Sequence, residues 1–402
     1  MKKTLLAAGA FSLFALANLA HAQSSVTLYG LIDGSIGYER SSGGSGNLPD
    51  GSRGRVSFND SHFGLRGSED LGGGLKGIFQ VESSIGSDGR QAPGYSSGFA
   101  DRNSRVGLES NQFGTAFLGH WDTPYLQLSQ GIDPFYGEQG SLHNMLGATG
   151  YAPAFAQSSP GYQANSQDAA FNRREGNSVQ YWSPEYAGLQ AKLGYSFSDS
   201  NNTPQTDGNN HARVASAALD WQYRGILLGY AYERHNDFYG ANAIGGFSAP
   251  GYSGSSHDDA HKVVAGYDFG NGLNFGAAYE RLSFHSDAST VPVGGLDEFR
   301  RSTAVASASY KFGANTIKAG YGRAFGASCE GNASGCDAGG STASLYSVGY
   351  NYDLSKRTAL YATYSRIDNG RNASYTPSFG TDQINNPGSL YQFAGVGMRH
   401  AF

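Results

Sequence analysis

Ionisable residues bracket one stretch of this chain. Arg102, Arg105 and His120 precede it, Arg173 and Arg174 follow it, and Asp122, Asp133 and Glu138 lie near its start. The stretch, Trp121 to Asn172, has no sustained period-2 or period-3.6 pattern. Irregular segments beyond roughly 12–15 residues are uncommon in compact folds and tend to be functional or disordered. This one carries Trp121, Tyr125, Phe135, Tyr136, Tyr151, Phe155 and Tyr162, too many aromatics for an ordinary disordered linker. Acids on such a loop facing basic strand ends make no bonds. They would set up a field that sorts ions and orients dipolar solutes, as charged rings do in channels. The competing readings are a disordered surface loop and solvated rim charges.

Bond-making chemistry has little support. No G-x-S-x-G elbow precedes a helical pattern, and no H-E-x-x-H, phosphate-binding loop or dinucleotide fingerprint occurs. Asp199 to Asp207 is acidic and Asn-rich but lacks the bidentate Glu of a calcium loop. Cys329 and Cys336, the only two cysteines, lack nearby His and fall short of a tetrahedral metal set. In an oxidising compartment they suit a disulfide, with two free thiols as the alternative. Neither metal nor cofactor is expected.

The flanking elements alternate at period 2, the strand period. Leu189, Ala191, Leu193, Tyr195 and Phe197 oppose Gln190, Lys192 and Ser196. Leu273, Phe275, Ala277 and Tyr279 oppose Asn274 and Glu280. Ala304, Ala306, Ala308, Tyr310 and Phe312 oppose Ser307, Ser309 and Lys311. The apolar faces repeatedly end in Tyr, Trp or Phe beside a turn, as interfacial girdles of membrane barrels do. Short turns such as Arg224-Gly225 and Gly270-Asn271-Gly272 alternate with long polar loops near 41–52, 85–100, 121–172, 199–211, 236–259, 285–297, 327–341 and 369–388. Seven short turns and eight long loops join sixteen strands. An even count with this alternation is the pattern of an antiparallel transmembrane β-barrel.

Residues 1–22 read as a secretory signal: Lys2 and Lys3, an apolar run from Leu5 to Leu19, and Ala20-His21-Ala22 as the cleavage site. Beyond Gln23, 26 Lys and Arg stand against 33 acids, a net −7, so nucleic acid is not an expected partner. The chain has 59 Gly, 26 Tyr and 23 Phe with only 39% apolar residues. That suits strands hiding apolar residues at every second position. With no shift in composition, 23–402 reads as one barrel domain.

Several segments carry a resemblance. Ser25-Val-Thr-Leu-Tyr-Gly-Leu-Ile-Asp33, Phe63-Gly-Leu-Arg-Gly-Ser-Glu-Asp-Leu-Gly-Gly-Gly-Leu75, Phe113-Gly-Thr-Ala-Phe-Leu-Gly119, Asn177-Ser-Val-Gln-Tyr-Trp-Ser-Pro184, Leu354-Ser-Lys-Arg-Thr358 and Val396-Gly-Met-Arg-His-Ala-Phe402 resemble, in order, segments of the general porins of β-proteobacterial outer membranes. The terminal Phe resembles the signal read by the barrel-assembly machinery. The resemblance implies a sixteen-stranded, usually homotrimeric barrel in contact with outer-membrane lipid. Its third loop, matching 121–172, would fold into the lumen as a constriction. Arg102 and Arg174 match positions of the family's arginine cluster, whereas His62 and His120 stand where Arg is more frequent.

Alternation tests part of this. His62 and Arg66 oppose Phe63 and Leu65, and Arg174 opposes Val179 and Tyr181, so all three face the lumen. If Val106 and Leu108 face lipid, Arg105 is inward and Arg102 outward. The resemblance favours Arg102, provided Val106 and Leu108 are lumenal, and Arg105 is its rival. The expected pore-lining set is therefore His62, Arg66, Arg102, Arg105, His120, Asp122, Asp133, Glu138 and Arg174. The leading functional reading is passive diffusion of ions and small hydrophilic solutes through a water-filled barrel. A substrate-specific channel with an aromatic track is the alternative, and a narrower hydrolase barrel a distant third.

Overall fold

The computed structural model describes residues 25–44, 50–86, 99–148, 150, 170–197, 213–237, 256–286, 296–331, 338–377 and 387–402. Residues 1–22, Tyr151, Phe155, Tyr162, Asp199–Asp207 and Cys336, each named above, lie outside them.

Alternation decides the architecture. In β12 (Leu273–Ser286), Phe275 and Tyr279 are exposed while Ala278, Glu280, Leu282 and Phe284 are buried. The exposed face is apolar and the buried face mixed, the inverse of a soluble sheet and the arrangement of a barrel solvated by lipid. Tyr267, Phe269, Tyr310, Phe312, Tyr350 and Tyr352 are exposed beside turns, as the girdle reading requires. No helix among the described residues is long and apolar enough to cross a membrane.

All strands form one antiparallel sheet, closed by pairing of β1 (Ser25–Ser42) with β18 (Leu390–Ala401). Eighteen strands are distinguished in it. β2 (Gly51–Phe58) and β3 (His62–Gly72) both pair with β1 and make one crossing, interrupted at Asn59–Ser61. β15 (Ser328–Gly331) is a short addition against β13 (Leu296–Phe312). The barrel therefore has sixteen crossings. Hairpin chemistry fixes the register of each pair. Between β9 (Arg213–Tyr223) and β10 (Ile226–Asn236), Arg224 and Gly225 have φ of 47° and 84°, the left-handed pair a two-residue hairpin needs. A Cβ on Gly225 would also run into the carbonyl oxygen of Asp268. Cys329 is disulfide-bonded, as its compartment predicts.

Candidate functional site

The described part of 121–172 begins with a short helix, α1 (Pro124–Gln130). Proline at N1 is pre-organised for a helix start, and Thr123 caps it by accepting from the Leu126 amide at 3.3 Å. Asp133 organises the turn beyond. It accepts from the Phe135 amide (2.9 Å), Ser141 Oγ (2.6 Å) and the Leu142 amide (2.8 Å), and it contacts His143 Nδ1 at 3.0 Å. His143 Nε2 lies 3.0 Å from Ser129 Oγ. The order Ser–His–Asp is that of a hydrolytic triad. Here, though, Ser129 is fully buried, bonds to the Leu126 carbonyl and accepts from Lys262 Nζ at 3.0 Å. No substrate reaches it, and the chain of bonds braces the segment.

The segment is fastened to strands distant in sequence, always on the face that alternates with the exposed apolar one. The Tyr125 amide donates to Ser216 Oγ (3.0 Å) on β9, and the Tyr125 hydroxyl donates to Glu280 (2.8 Å) on β12. Ser307 Oγ of β13 donates to the Ile132 carbonyl at 2.5 Å. On β16 (Ala343–Asp353), Ser347 Oγ donates to the Gly140 carbonyl at 2.7 Å. The Gly147 amide returns to Glu280 at 2.7 Å. Glu138 is the charged anchor. It accepts from Lys318 Nζ (2.6 Å) on β14 (Asn315–Ala324), from Thr363 Oγ1 (2.7 Å) on β17 (Thr358–Asn369), and from Arg399 on β18. Arg399 also pairs with Asp33 of β1 at 3.4 Å.

Under the segment the wall lacks side chains. A Cβ on Gly276 would lie 2.6 Å from Ile132 Cβ, on Gly322 2.8 Å from Met145 Sδ, and on Gly349 2.8 Å from the Phe135 ring. These glycines sit within strands and make room for the segment.

Burial holds the Tyr125 phenol, which lies outside the spanning strands, well above its usual pKa, and the adjacent Glu280 carboxylate adds to this. Burial likewise raises the pKa of Tyr136. Both stay neutral at any physiological pH, Tyr125 donating to Glu280 and Tyr136 accepting from Gln130 Nε2 at 2.9 Å.

Arg102 and Arg174 are both drawn into clusters on the polar face. Arg102 pairs with Glu82 (2.7 Å) and Asp60 (2.9 Å). Arg174 pairs with Asp122 at 2.8 Å, and Asp122 also accepts from Asn103 (3.1 Å) and Gln130 (2.9 Å). Val106 and Leu108 are exposed, so the condition attached to Arg102 fails, yet Arg102 still joins the cluster. The reason is that β5 (Ser104–Ser110) begins only at Ser104, and alternation counted from Val106 does not extend to residue 102.

Arg105 faces the same way as its rival and has a different environment. Its guanidinium carbon lies 4.8, 4.3 and 5.0 Å from the ring centres of Phe117, Trp121 and Trp182. Arg66 lies over Tyr29 at 5.0 Å. His62 contacts the Asp60 carbonyl through Nδ1 at 2.7 Å. His120 is the exception. It falls in phase with Ala116 and Leu118 of the exposed face on β6 (Gly114–Asp122), just where the pairing to β7 (Arg174–Trp182) shifts register between Gly119 and Trp121.

Asp133 and Glu138 are both buried and saturated with donors, rather than standing as free charges. The alternation reading missed Lys318, Arg399 and Asp33. Each lies on a polar face beside exposed apolar residues such as Ile317 and Met398, and that was the available signal.

Comparison with known proteins agrees with this geometry. Residues 6–372 match the family model described as Gram-negative porin. An outer membrane porin of Bordetella pertussis is 30% identical, and outer membrane porin protein 32 of Delftia acidovorans 28%, each over 100% of both chains. Among solved structures, an anion-selective porin from Comamonas acidovorans superimposes with a TM-score of 0.72 at 24% identity, covering 94% of this chain and 100% of that one. The closed sixteen-crossing barrel, its apolar exterior and these relatives place the chain in the Gram-negative porin family: it is a β-barrel of the outer membrane through which ions and small hydrophilic solutes diffuse passively.

Proposed function

We propose that 121–172 folds into the lumen and forms the narrowest part of the channel, with anions passing more readily than cations. The observation that carries this is Glu138, held by Lys318, Thr363 and Arg399 on three strands far from the segment's own ends. A loop lying outside the barrel mouth has no route to side chains on the polar faces of β14, β17 and β18 together. The glycines beneath Ile132, Met145 and Phe135 support the same reading.

The anion preference rests on how the charges are used. Asp122, Asp133 and Glu138 are each enclosed by donors. Arg66, Arg105 and Lys192 have no carboxylate within 4 Å among the described residues. Paired charges cancel at a distance, whereas unpaired ones attract counter-ions. His62, Arg66, Arg102, Arg105 and Arg174 are the wall residues of this reading, and His120 lies at its margin.

Export with removal of residues 1–22 and assembly as a homotrimer belong to the same proposal. A shallow apolar depression on the exposed face, lined by Ile36, Val348, Ala362, Ala394 and Val396, suits contact with a second barrel. Single-channel recording in planar bilayers across a salt gradient tests the reading. Unit conductance steps with a reversal potential on the anion side are expected. Absence of steps from folded protein, or a cation-side potential, overturns it.

A further inference from the structure

The wall between β3 and β8 (Leu189–Ser196) holds basic side chains closed by aromatic rings rather than by acids. Arg105 is half-buried against Phe117, Trp121 and Trp182, which meet edge to face with centres 5.1 to 6.0 Å apart. Its Nη1 is buried without a hydrogen-bond partner among the described residues. Trp182 is itself half-buried, and Lys192, its cross-strand neighbour on β8, reaches over its ring at 5.3 Å. Acids of this face are engaged elsewhere. Glu82 is held by Arg102 at 2.7 Å, Asp122 by Arg174 at 2.8 Å and Glu109 by Lys76 at 3.5 Å, and on the neighbouring β9 Asp220 accepts from Gln222 at 3.2 Å. None of them pairs with Arg105 or Lys192.

A guanidinium with a vacant N–H forfeits a hydrogen bond, and its charge has no fixed counter-ion. Rings satisfy its faces through cation–π contact but leave its edge with donors only. What completes such an edge is a carboxylate, which accepts two N–H bonds at once. Beside it stands an indole that offers a surface to a flat ring.

We propose that Arg105, Lys192 and Trp182 form a retention site for aromatic carboxylates of benzoate size, the carboxylate on the two cations and the ring on Trp182. The site lies directly beyond the Asp122–Arg174 pair, on the side of the β7–β8 turn. It rests on the reading that this polar face lines the open channel. Small inorganic anions pass the site, while flat organic anions pause there.

The probes are sodium benzoate, cyclohexanecarboxylate and acetate, added during single-channel chloride recording. Benzoate interrupts the current in a saturable way, and cyclohexanecarboxylate, equal in charge but not flat, does so at concentrations several-fold higher. Arg105→Gln and Trp182→Leu each weaken the benzoate block by roughly tenfold, the scale of one lost charged or stacking contact. Correct assembly of each variant is checked by heat-modifiable gel mobility. If Arg105→Gln does not assemble, Lys192→Gln provides the second charge test, with a several-fold loss expected. Equal block by benzoate and cyclohexanecarboxylate, or a benzoate block that Trp182→Leu leaves intact, overturns the site. Loss of conductance steps from the wild-type protein contradicts the channel reading instead, so the two failures are distinguishable.

Discussion

Glu138 and Lys318 stand 180 residues apart in the chain, and 2.6 Å separates their charged atoms. Both are buried, and Arg399 joins the same carboxylate. Glu138 and Asp33 together balance these two basic residues on different strands, and Glu138 ties the described part of its segment to both. Desolvating such charges is tolerable only because each has a partner.

Removing Glu138 strands Lys318 and leaves Arg399 with Asp33 alone. Glu138→Ala should destabilise the folded barrel by about 3–5 kcal/mol, the cost of breaking a buried pair, read as a lower unfolding midpoint in urea. Single-channel current should also become noisier and larger as the segment loosens. A variant with wild-type midpoint and conductance would contradict the anchoring role.

Tyr125 makes the anchoring sensitive to alkali. Burial and Glu280 raise its pKa in the folded state, so folding favours the protonated phenol. The sign is therefore fixed: its contribution is fully present below the unfolded value of about 10 and declines as pH rises beyond it. Stability should be level between about pH 7 and 9.5 and fall above about 10. Tyr125→Phe should cost about 1–3 kcal/mol at neutral pH, since Glu280 loses a donor, and should flatten the alkaline decline. An unchanged alkaline profile in Tyr125→Phe would assign that decline to other groups.

Arg174→Gln tests the charge balance of the wall. It removes the cation paired with Asp122 and leaves Asn103 and Gln130 as that acid's donors. One exposed charge is worth about 1 kcal/mol to an ion ~4 Å away in water, roughly a fivefold change in occupancy. The reversal potential in a salt gradient should move towards the cation side. No movement, or movement the other way, would remove Arg174 from the selectivity account.

Much of this was legible in the chain, and the reason is geometric. Lipid outside and polar groups inside impose strict alternation, so Phe275, Tyr279 and Glu280 declare their faces from spacing alone. The seven short turns likewise follow from residues such as Arg224-Gly225, whose backbone conformation few other pairs adopt. Alternation fails where strands begin or slip: Arg102 lies outside β5, and His120 sits at the register shift of β6. It is also silent on which polar-face residues meet. Asp133 and Glu138 looked like free acids because their donors, His143 on the same segment and Lys318 and Arg399 on remote strands, are set by tertiary packing. Gly276, Gly322 and Gly349 had a role visible only once Ile132, Met145 and Phe135 were placed above them.

The most direct measurement is the single-channel conductance of a variant lacking Met145 to Gln157, compared with wild type at equal salt. That excision shortens the segment while retaining α1, Asp133 and Glu138. If 121–172 narrows the channel, the assembled variant, verified by heat-modifiable mobility, should conduct more than wild type and lose part of its anion preference. Wild-type conductance and selectivity in a properly assembled deletion variant would contradict the account.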